Sequence, residues 1–294
     1  MFSYRHAFHA GNHADVLKHT VLIALLKHLT LKEAPLTVVD THAGAGLYRL
    51  DGDFAQTSAE AADGIFKLWG KEKLAPALQD YLEVVQSFNA QSKVLKVYPG
   101  SPFITQHLLR EQDKLKLFEL HPSDIKALTG NVEQLRAGRQ IAVIREDGFE
   151  GPRKFIPPPA RRAMLLCDPS YEIKSDYAKV QALIAESLKR FATGTYAIWY
   201  PLIPRPEAHD LPKRLKTLAT RAGKPSLNVV LTVKNSKIIS AVQSGADVAK
   251  RPGLPASGMF IINPPHTLKA AMLEALPQMV EMLGQDKHAA FSVE

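Results

Sequence analysis

Four acidic residues stand at the places where predicted strands end. They are Asp40 in "TVVD", Glu119 in "KLKLFE", Asp147 in "IREDG" and Asp168 in "AMLLCD". In an open sheet of parallel strands, ligands bind in the crevice beyond the carboxyl ends of the strands. Carboxylates at that edge can accept hydrogen bonds from a ligand and can face a cation. The pattern therefore predicts one acidic ligand site built from several strands.

Asp40 opens the segment "DTHAGAG", in which Gly44 and Gly46 allow a sharp turn and a close approach of the backbone to a ligand. The dinucleotide fingerprint would need a third glycine where the chain has Arg49, and the phosphate-binding loop with its lysine is absent. An acid before such a turn suits a cationic cofactor better than a pyrophosphate. Two glycines after a strand also occur in turns that bind nothing.

Glu119 ends the second predicted strand of this series, where a carboxylate can accept both hydroxyls of a ribose. It lies 79 residues after Asp40, whereas an uninterrupted unit has about 20. Residues 51–97 explain the excess, because they are predicted to form short helices and an inserted helical subdomain. Asp147 is placed to accept from the amino group of an adenine. Taken singly, Glu119 is equally consistent with an exposed acid at a strand end.

The tetrapeptide "DPSY" at 168–171 is the most informative stretch of the chain. An exocyclic amine of a nucleobase is a poor nucleophile, because its lone pair is delocalised into the ring. A site that methylates it must hold both N–H bonds, and the Asp168 carboxylate and the Pro169 carbonyl can supply the two acceptors. Tyr171 can stack on the base, which must leave its helix or loop to reach the site. The alternative is a plain Asp-Pro turn with a core tyrosine.

The order D-x-x-x-G-x-G, strand-end Glu, strand-end Asp and D-P-[PS]-Y resembles the class I S-adenosylmethionine-dependent amino-methyltransferases. More closely, "YRHAFHAGNHADVLKH", "DTHAGAG", "YPGSP", "DPSYE" and "RFATGTYAIWYP" resemble the RlmJ family of 23S ribosomal RNA adenine-N6 methyltransferases, over nearly the whole chain. The resemblance implies a Rossmann-like domain with an inserted helical subdomain, an S-adenosylmethionine cofactor, no metal and a 23S ribosomal RNA substrate. Ser170 departs from the general D-P-P-Y pattern but leaves both proposed acceptors in place.

Residue roles follow from this resemblance and from the strand-end pattern. Asp168, Pro169 and Tyr171 would hold the target adenine, while Tyr4 and His6 would close over the active site. The cofactor would be lined by residues of the N-terminal helix, the glycine turn and the strand ends: Lys18, His19, Asp40, Gly44, Gly46, Ser101, Glu119, Asp147, Gly148 and Asp168.

Three histidines of the opening stretch, His6, His9 and His13, have spacings that could place them on one helical face. Gly11 and Asn12 interrupt that face, and Asn12 is instead predicted as the N-cap of a helix over 13–31. No cysteine and no compact set of partners completes a metal site, so none is predicted. We interpret the stretch as an arm and helix that fold over the cofactor pocket. His9 and His13 are either structural or phosphate-facing.

Strands and helices alternate along the rest of the chain, which predicts an α/β fold of the Rossmann-like class I methyltransferase type. The expected core is a mostly parallel seven-stranded sheet with helices on both faces. Residues 1–50 and 98–294 would form the methyltransferase domain and residues 51–97 the inserted helical subdomain. The segment "INPPH" at 262–266 also matches N-P-P. It lacks the aromatic residue and comes two strands too late, so it is interpreted as a turn.

Composition bounds the partners of the chain. The 294 residues carry a net charge of +8, from 37 lysines and arginines against 29 acids, and basic pairs such as Arg161-Arg162 and Lys213-Arg214 recur. They resemble phosphate contacts more than a membrane-binding face, and the charge alone is equally consistent with a nucleic-acid partner and with a solvated basic surface. No apolar run is long enough for a bilayer and no signal peptide is recognisable. With the single Cys167, these features predict a cytoplasmic protein with no membrane partner. A monomer is expected.

The function predicted from the sequence is adenine-N6 methylation of ribosomal RNA. A DNA adenine-N6 methyltransferase is the enzymatic alternative, because D-P-P-Y-type turns serve both substrates and charge does not separate them. A non-catalytic RNA-binding protein with a vestigial cofactor site is the second alternative. The intact series of strand-end acids speaks against it.

Overall fold

The computed structural model describes residues 9–50, 60–92, 94–235 and 253–294. The predicted site residues Tyr4 and His6 lie outside these ranges. The helices are α1 (His13–Leu29), α2 (Ile65–Leu68), α3 (Pro76–Ser87), α4 (Ser101–Leu108), α5 (Pro122–Gln134), α6 (Ser175–Arg190), α7 (Pro206–Arg221) and α8 (Leu268–Leu283). The strands are β1 (Thr37–Asp40), β2 (Leu47–Arg49), β3 (Val97–Pro99), β4 (Lys114–Phe118), β5 (Ile141–Ile144), β6 (Ala163–Cys167), β7 (Thr195–Leu202), β8 (Ser226–Thr232), β9 (Ala256–Ile262) and β10 (Ala290–Val293).

The main sheet has the strand order β10-β8-β9-β7-β6-β1-β4-β5. The five strands from β7 to β5 are parallel, while β9 runs antiparallel to β7 and β8, and β10 runs antiparallel to β8. The predicted Rossmann-like α/β class is confirmed. The predicted count of seven strands is wrong, because β10 adds an eighth within the described residues. That strand has only four residues and is exposed or half-buried, so it lacks the apolar alternation that marks a strand in sequence.

The two strands at the middle of the sheet explain why the site lies where it does. Every residue of β1 and of β6 is buried, as expected for central parallel strands that are covered by helices on both faces. From β1 the chain continues to β4 and β5 on one side, and the strands β6 and β7 lie on the other. The order therefore reverses between β1 and β6, which is where such sheets bind ligands.

Helix α1 carries the N-terminal part of the site into the body of the protein. The side chain of Asn12 accepts the backbone N–H groups of Ala14 and Asp15, which confirms the predicted N-cap. The helix contacts α3, α4, α8 and β9, and it is buried over most of its length. Polar side chains on such a helix need internal partners, because water does not reach them.

The segment 51–97 follows β2 in the chain and ends at the first residue of β3, and these two strands pair antiparallel as a small second sheet. Its helix α3 packs on α1 and α8, and α2 packs on α8. Apolar side chains of the segment, including Leu78 and Tyr81, belong to the same hydrophobic cluster as α1 and one face of the main sheet. The division into a methyltransferase domain and an inserted subdomain stays a prediction.

The turn "INPPH" lies at the edge of the sheet opposite to Asp168. Strand β9 is antiparallel to β7 and ends with Ile262 beside Tyr196, near the start of β7. The side chain of Asn263 donates to the backbone carbonyls of Ala192 and Gly194, which closes the loop that precedes β7. The interpretation of this segment as a turn is confirmed. No helix in the described part of the chain is long and apolar enough to cross a membrane.

Candidate active site

A cleft of about 240 Å³ opens at the carboxyl edge of the main sheet, beside the point where the strand order reverses. Most of the predicted site residues that the structure describes lie on its wall. These are Lys18, His19, Gly44, Ser101, Glu119, Asp147, Gly148 and Asp168. Asp40, Gly46, Pro169 and Tyr171 do not line the cleft directly. The structure thus brings together side chains that are up to 150 residues apart in the sequence.

Asp168 stands at the end of β6 and forms an ion pair with Lys18 of α1. The Nζ of Lys18 lies 2.6 Å from Oδ2 of Asp168 and 2.8 Å from Oδ1 of Asp15. The other carboxylate oxygen of Asp15 accepts the backbone N–H of Gly11 at 2.9 Å. The turn at 168–171 is therefore tied to the N-terminus of α1 through one buried lysine.

The ammonium group of Lys18 is almost fully buried, which by itself would favour the neutral amine. Burial lowers its pKa, but the charges and hydrogen bonds of Asp15 and Asp168 outweigh it and raise the pKa above its ordinary value. Lys18 consequently stays charged at neutral pH. A buried cation held between two carboxylates fixes the position of both, because a carboxylate that moved away would leave its own negative charge unpaired.

Glu119 is oriented by three backbone N–H groups. Its Oε2 accepts from Gly44 at 2.8 Å, and its Oε1 accepts from Leu120 at 2.8 Å and from His121 at 2.7 Å. Burial raises the pKa of this carboxyl group, and the bonds from His121 and Gly44 partly offset that shift. The result is a fixed acceptor at the end of β4, as the strand-end pattern predicts.

Asp40 lies just below the cleft wall. Its Oδ2 accepts the hydroxyl of Ser101 at 2.6 Å and its Oδ1 accepts the N–H of His42 at 3.3 Å. Burial raises the pKa of Asp40 to about 6. Asp40 therefore fixes the hydroxyl of Ser101, which is the first residue of α4 and lines the cleft. The glycine turn that follows is tight, since Gly44 has a φ of +61° and a Cβ there would lie 2.4 Å from the hydroxyl of Tyr48.

The loop after β5 packs directly on the loop after β1. Asp147 accepts the backbone N–H of Phe149 at 2.8 Å, which fixes the loop. A Cβ on Gly148 would lie 1.8 Å from the carbonyl oxygen of Thr41, a contact with backbone that a side-chain movement cannot relieve. Only glycine allows these two loops to meet, and their contact shapes one wall of the cleft.

We expect Gly148→Ala to destabilise the protein by about 2 kcal/mol or more, because the added methyl group forces the two loops apart. The matched control is Gly130→Ala, which places a methyl group in open space in the interior of α5. It should raise stability by up to about 1 kcal/mol, because alanine is the better helix former. Thermal or denaturant unfolding of the two variants checks both signs, and equal stabilities would contradict the packing described.

Tyr171 is the last residue of the turn at 168–171, and its side chain lies beneath that turn rather than on the cleft wall. It is buried, with a φ of +54°. Its hydroxyl donates to the backbone carbonyl of Trp199 at 2.7 Å, and its ring packs against the rings of Tyr177 and Trp199. Stacking of Tyr171 on a base stays a prediction. In the arrangement seen here it would require the ring to leave the carbonyl of Trp199.

Several cleft residues have no sequence signal of their own. Thr41 and His42 follow Asp40, and the ring centroid of His42 lies 4.8 Å from that of Phe149 in an edge-on contact. Burial lowers the pKa of His42 to about 4, so it is neutral at physiological pH. Asp15 could have been found, because it lies three residues before Lys18 on a predicted helix and such pairs face each other.

The histidines of the opening stretch have separate partners. The Nδ1 of His9 lies 2.8 Å from Oε2 of Glu60, and the Nε2 of His13 lies 3.0 Å from the carbonyl oxygen of Leu254. The Nδ1 of His19 lies 2.8 Å from the hydroxyl oxygen of Tyr98. Burial lowers the pKa of His13 to about 4. Within the ranges that the structure covers, no group of three His, Cys, Asp or Glu side chains could hold a metal ion.

Known proteins are similar to this chain in sequence and in fold. A family model described as "Ribosomal RNA large subunit methyltransferase D, RlmJ" matches residues 33–294. The chain is 40% identical over 294 residues to the ribosomal RNA large subunit methyltransferase J of Haemophilus influenzae, covering 100% of this chain and 98% of that protein. It is 43% identical over 277 residues to the protein of that name from Escherichia coli, covering 94% and 92%. The crystal structure of a Legionella pneumophila protein is 29% identical, with a TM-score of 0.84 and coverage of 97% and 98%.

Proposed function

The chain belongs to the RlmJ family of ribosomal RNA large subunit methyltransferases, and we propose that it methylates N6 of an adenine in 23S ribosomal RNA with S-adenosylmethionine as the methyl donor. The observation that carries this proposal is the meeting of Asp168 and Glu119 in one cleft at the reversal of strand order. One carboxylate suits the amine to be methylated, and the other suits the ribose of the donor.

The residues of the cleft fit the proposed cofactor. The carboxylate of Glu119 is held in one orientation by three backbone donors and can accept the ribose hydroxyls. Asp147 lies on the same wall and can accept the adenine amino group. Two donors of the Lys18 ammonium are used by Asp15 and Asp168, which leaves the third for the cofactor's carboxylate. S-adenosylmethionine supplies an electrophilic methyl group on a sulfonium ion.

The turn at 168–171, which we call the catalytic turn, would act on the target adenine through Asp168 and Pro169. The Asp168 carboxylate and the Pro169 carbonyl accept hydrogen bonds from the two N–H groups of N6. These bonds direct the nitrogen lone pair toward the methyl group of the donor. Lys18 holds Asp168 in place, so the acceptor is oriented before the base arrives. Catalysis then comes from positioning and from fixed acceptors rather than from a covalent enzyme intermediate. Tyr4 and His6 are proposed to close over this site, and they lie outside the described residues.

Equal amounts of protein-free 23S ribosomal RNA and duplex DNA, offered side by side with labelled S-adenosylmethionine, test the substrate class. The proposal expects label on the RNA alone. Label on the DNA would instead support the DNA adenine-N6 methyltransferase. Cofactor binding with no label on either nucleic acid would contradict both.

Binding of 23S ribosomal RNA should weaken steeply as salt is added. The chain carries a net charge of +8, and each phosphate contact releases counterions when it forms. We expect the dissociation constant to rise at least about tenfold between about 50 and 200 mM salt. Fluorescence anisotropy with a labelled RNA fragment measures this directly. A dissociation constant that is insensitive to salt would exclude phosphate contacts as the main source of affinity.

A further inference from the structure

The positive charge of the chain is concentrated in one stretch of sequence. Residues 172–224 contain ten lysines and arginines against five acids, so this stretch carries +5 of the total net charge of +8. It comprises α6, β7 and α7 and follows directly after the catalytic turn. A basic surface that is merely solvated does not require its charge to be concentrated in this way. The function of the stretch 172–224 therefore depends on where it lies on the molecule.

Helices α6 and α7 pack side by side on the face of the sheet opposite to α1. Both helices follow strands that end at the carboxyl edge, so both begin beside the cleft and run away from it. The guanidinium of Arg214 donates to the side chain of Gln181 at 3.3 Å, which joins α7 to α6 in mid-helix. The two helices therefore form one continuous surface that starts at the catalytic turn.

Basic residues recur along these two helices, and we call the set the basic ridge. Its members lie at the start of α6 and along α7: Lys174, Lys179, Arg205, Lys213, Arg214 and Arg221. Lys213, Arg214 and Arg221 are exposed and form no ion pair with any residue that the structure describes. These three charges are available to an external anion.

The end of the basic ridge that lies nearest the cleft contacts the proposed site. The guanidinium of Arg205 donates to the backbone carbonyl of Tyr171 at 3.0 Å and to that of Glu172 at 3.4 Å. Lys179 lies on the cleft wall, with its Nζ 5.2 Å from the ring centroid of Phe149. Ile173, at the mouth of the cleft, is 60% exposed and offers an apolar contact to a nucleobase.

We propose that the basic ridge binds the phosphates of the RNA strand next to the target adenine and leads that strand to the catalytic turn. This rests on the proposed function and extends it by naming the surface that the RNA covers. The charge is complementary to a polyanion, and the ridge is continuous with the cleft into which the base must be turned out. Lysine and arginine contacts to phosphates fix position without reading sequence.

The double substitution Lys213→Gln with Arg214→Gln tests the basic ridge. We expect the dissociation constant for a 23S ribosomal RNA transcript to rise about tenfold, and the slope of log K against log salt to fall by about 1.5, as for two lost phosphate contacts. Affinity for S-adenosylmethionine should not change and the thermal midpoint should change little, because both side chains are exposed and the bond of Arg214 to Gln181 is a long one on the surface. Arg221→Gln should add to the loss.

The matched control is Lys71→Gln with Lys73→Gln, which removes two exposed charges from the segment between α2 and α3. It should leave RNA affinity unchanged. Unchanged affinity in the ridge variant would overturn the proposal, as would an equal loss in both variants or a loss in the control alone. These outcomes differ from failure of the proposed function, in which the unaltered protein itself would not methylate the RNA.

Discussion

Asp168→Ala is expected to lower the rate of methyl transfer by at least about a hundredfold, toward the uncatalysed level, while the protein stays folded. The substitution removes the acceptor for one N–H bond of the target amine, and the remaining carbonyl of Pro169 cannot orient the amine alone. The fold should survive, because Lys18 keeps its ion pair with Asp15 at 2.8 Å and its charge remains compensated.

The control for this substitution is Glu146→Ala. Glu146 also follows a strand at this edge of the sheet, but its carboxylate points away to an exposed pair with Lys154. Such pairs contribute little to stability, so this variant should behave as the unaltered protein does. Single-turnover methyl transfer and thermal unfolding of both variants distinguish a lost acceptor from a damaged fold. An active, folded Asp168→Ala protein would contradict the assignment of the catalytic turn.

Glu119→Ala should weaken the binding of S-adenosylmethionine by about a hundredfold. Two hydrogen bonds from ribose hydroxyls to a charged acceptor are lost, at roughly 1.5 kcal/mol or more each. The backbone N–H groups of Gly44, Leu120 and His121 also lose the acceptor that aligns them. The rate at saturating cofactor should fall much less than in Asp168→Ala, since Glu119 does not touch the reacting amine.

Glu119→Gln separates the two contributions of this side chain. The amide oxygen can still accept from one or two of the backbone donors, while the second ribose contact is lost. Its affinity for the cofactor should therefore lie between that of Glu119→Ala and that of the unaltered protein. Isothermal titration with S-adenosylmethionine and S-adenosylhomocysteine measures all three. Equal affinities across the series would remove Glu119 from the cofactor site.

The parts of the site that the sequence predicts are those in which local pattern and topology coincide. Asp40 ends β1, Glu119 and Asp168 directly follow β4 and β6, and parallel strands bring their carboxyl ends to one edge. A separate local signal, the cap residue Asn12, predicts the helix that begins at His13. These inferences need no knowledge of which strands are neighbours.

The parts that the sequence does not predict depend on contacts between distant segments. The ion pair between Lys18 and Asp168 joins residues 150 positions apart, and nothing local marks it. The position of Tyr171 beneath the turn depends on the carbonyl of Trp199 in the next strand. Strand β10 is too short and too exposed to show a strand pattern, so the eighth strand is visible only once β8 is there to pair with it.

The measurement that tests the central claim most directly is nucleoside analysis of 23S ribosomal RNA after one turnover with labelled S-adenosylmethionine. The RNA is digested to nucleosides, and the label is followed by chromatography and mass spectrometry. The proposed mechanism predicts that all of the label elutes as N6-methyladenosine, and that Asp168→Ala yields none. Label in any other nucleoside, or equal label from the Asp168→Ala protein, would contradict an amine-binding turn at 168–171.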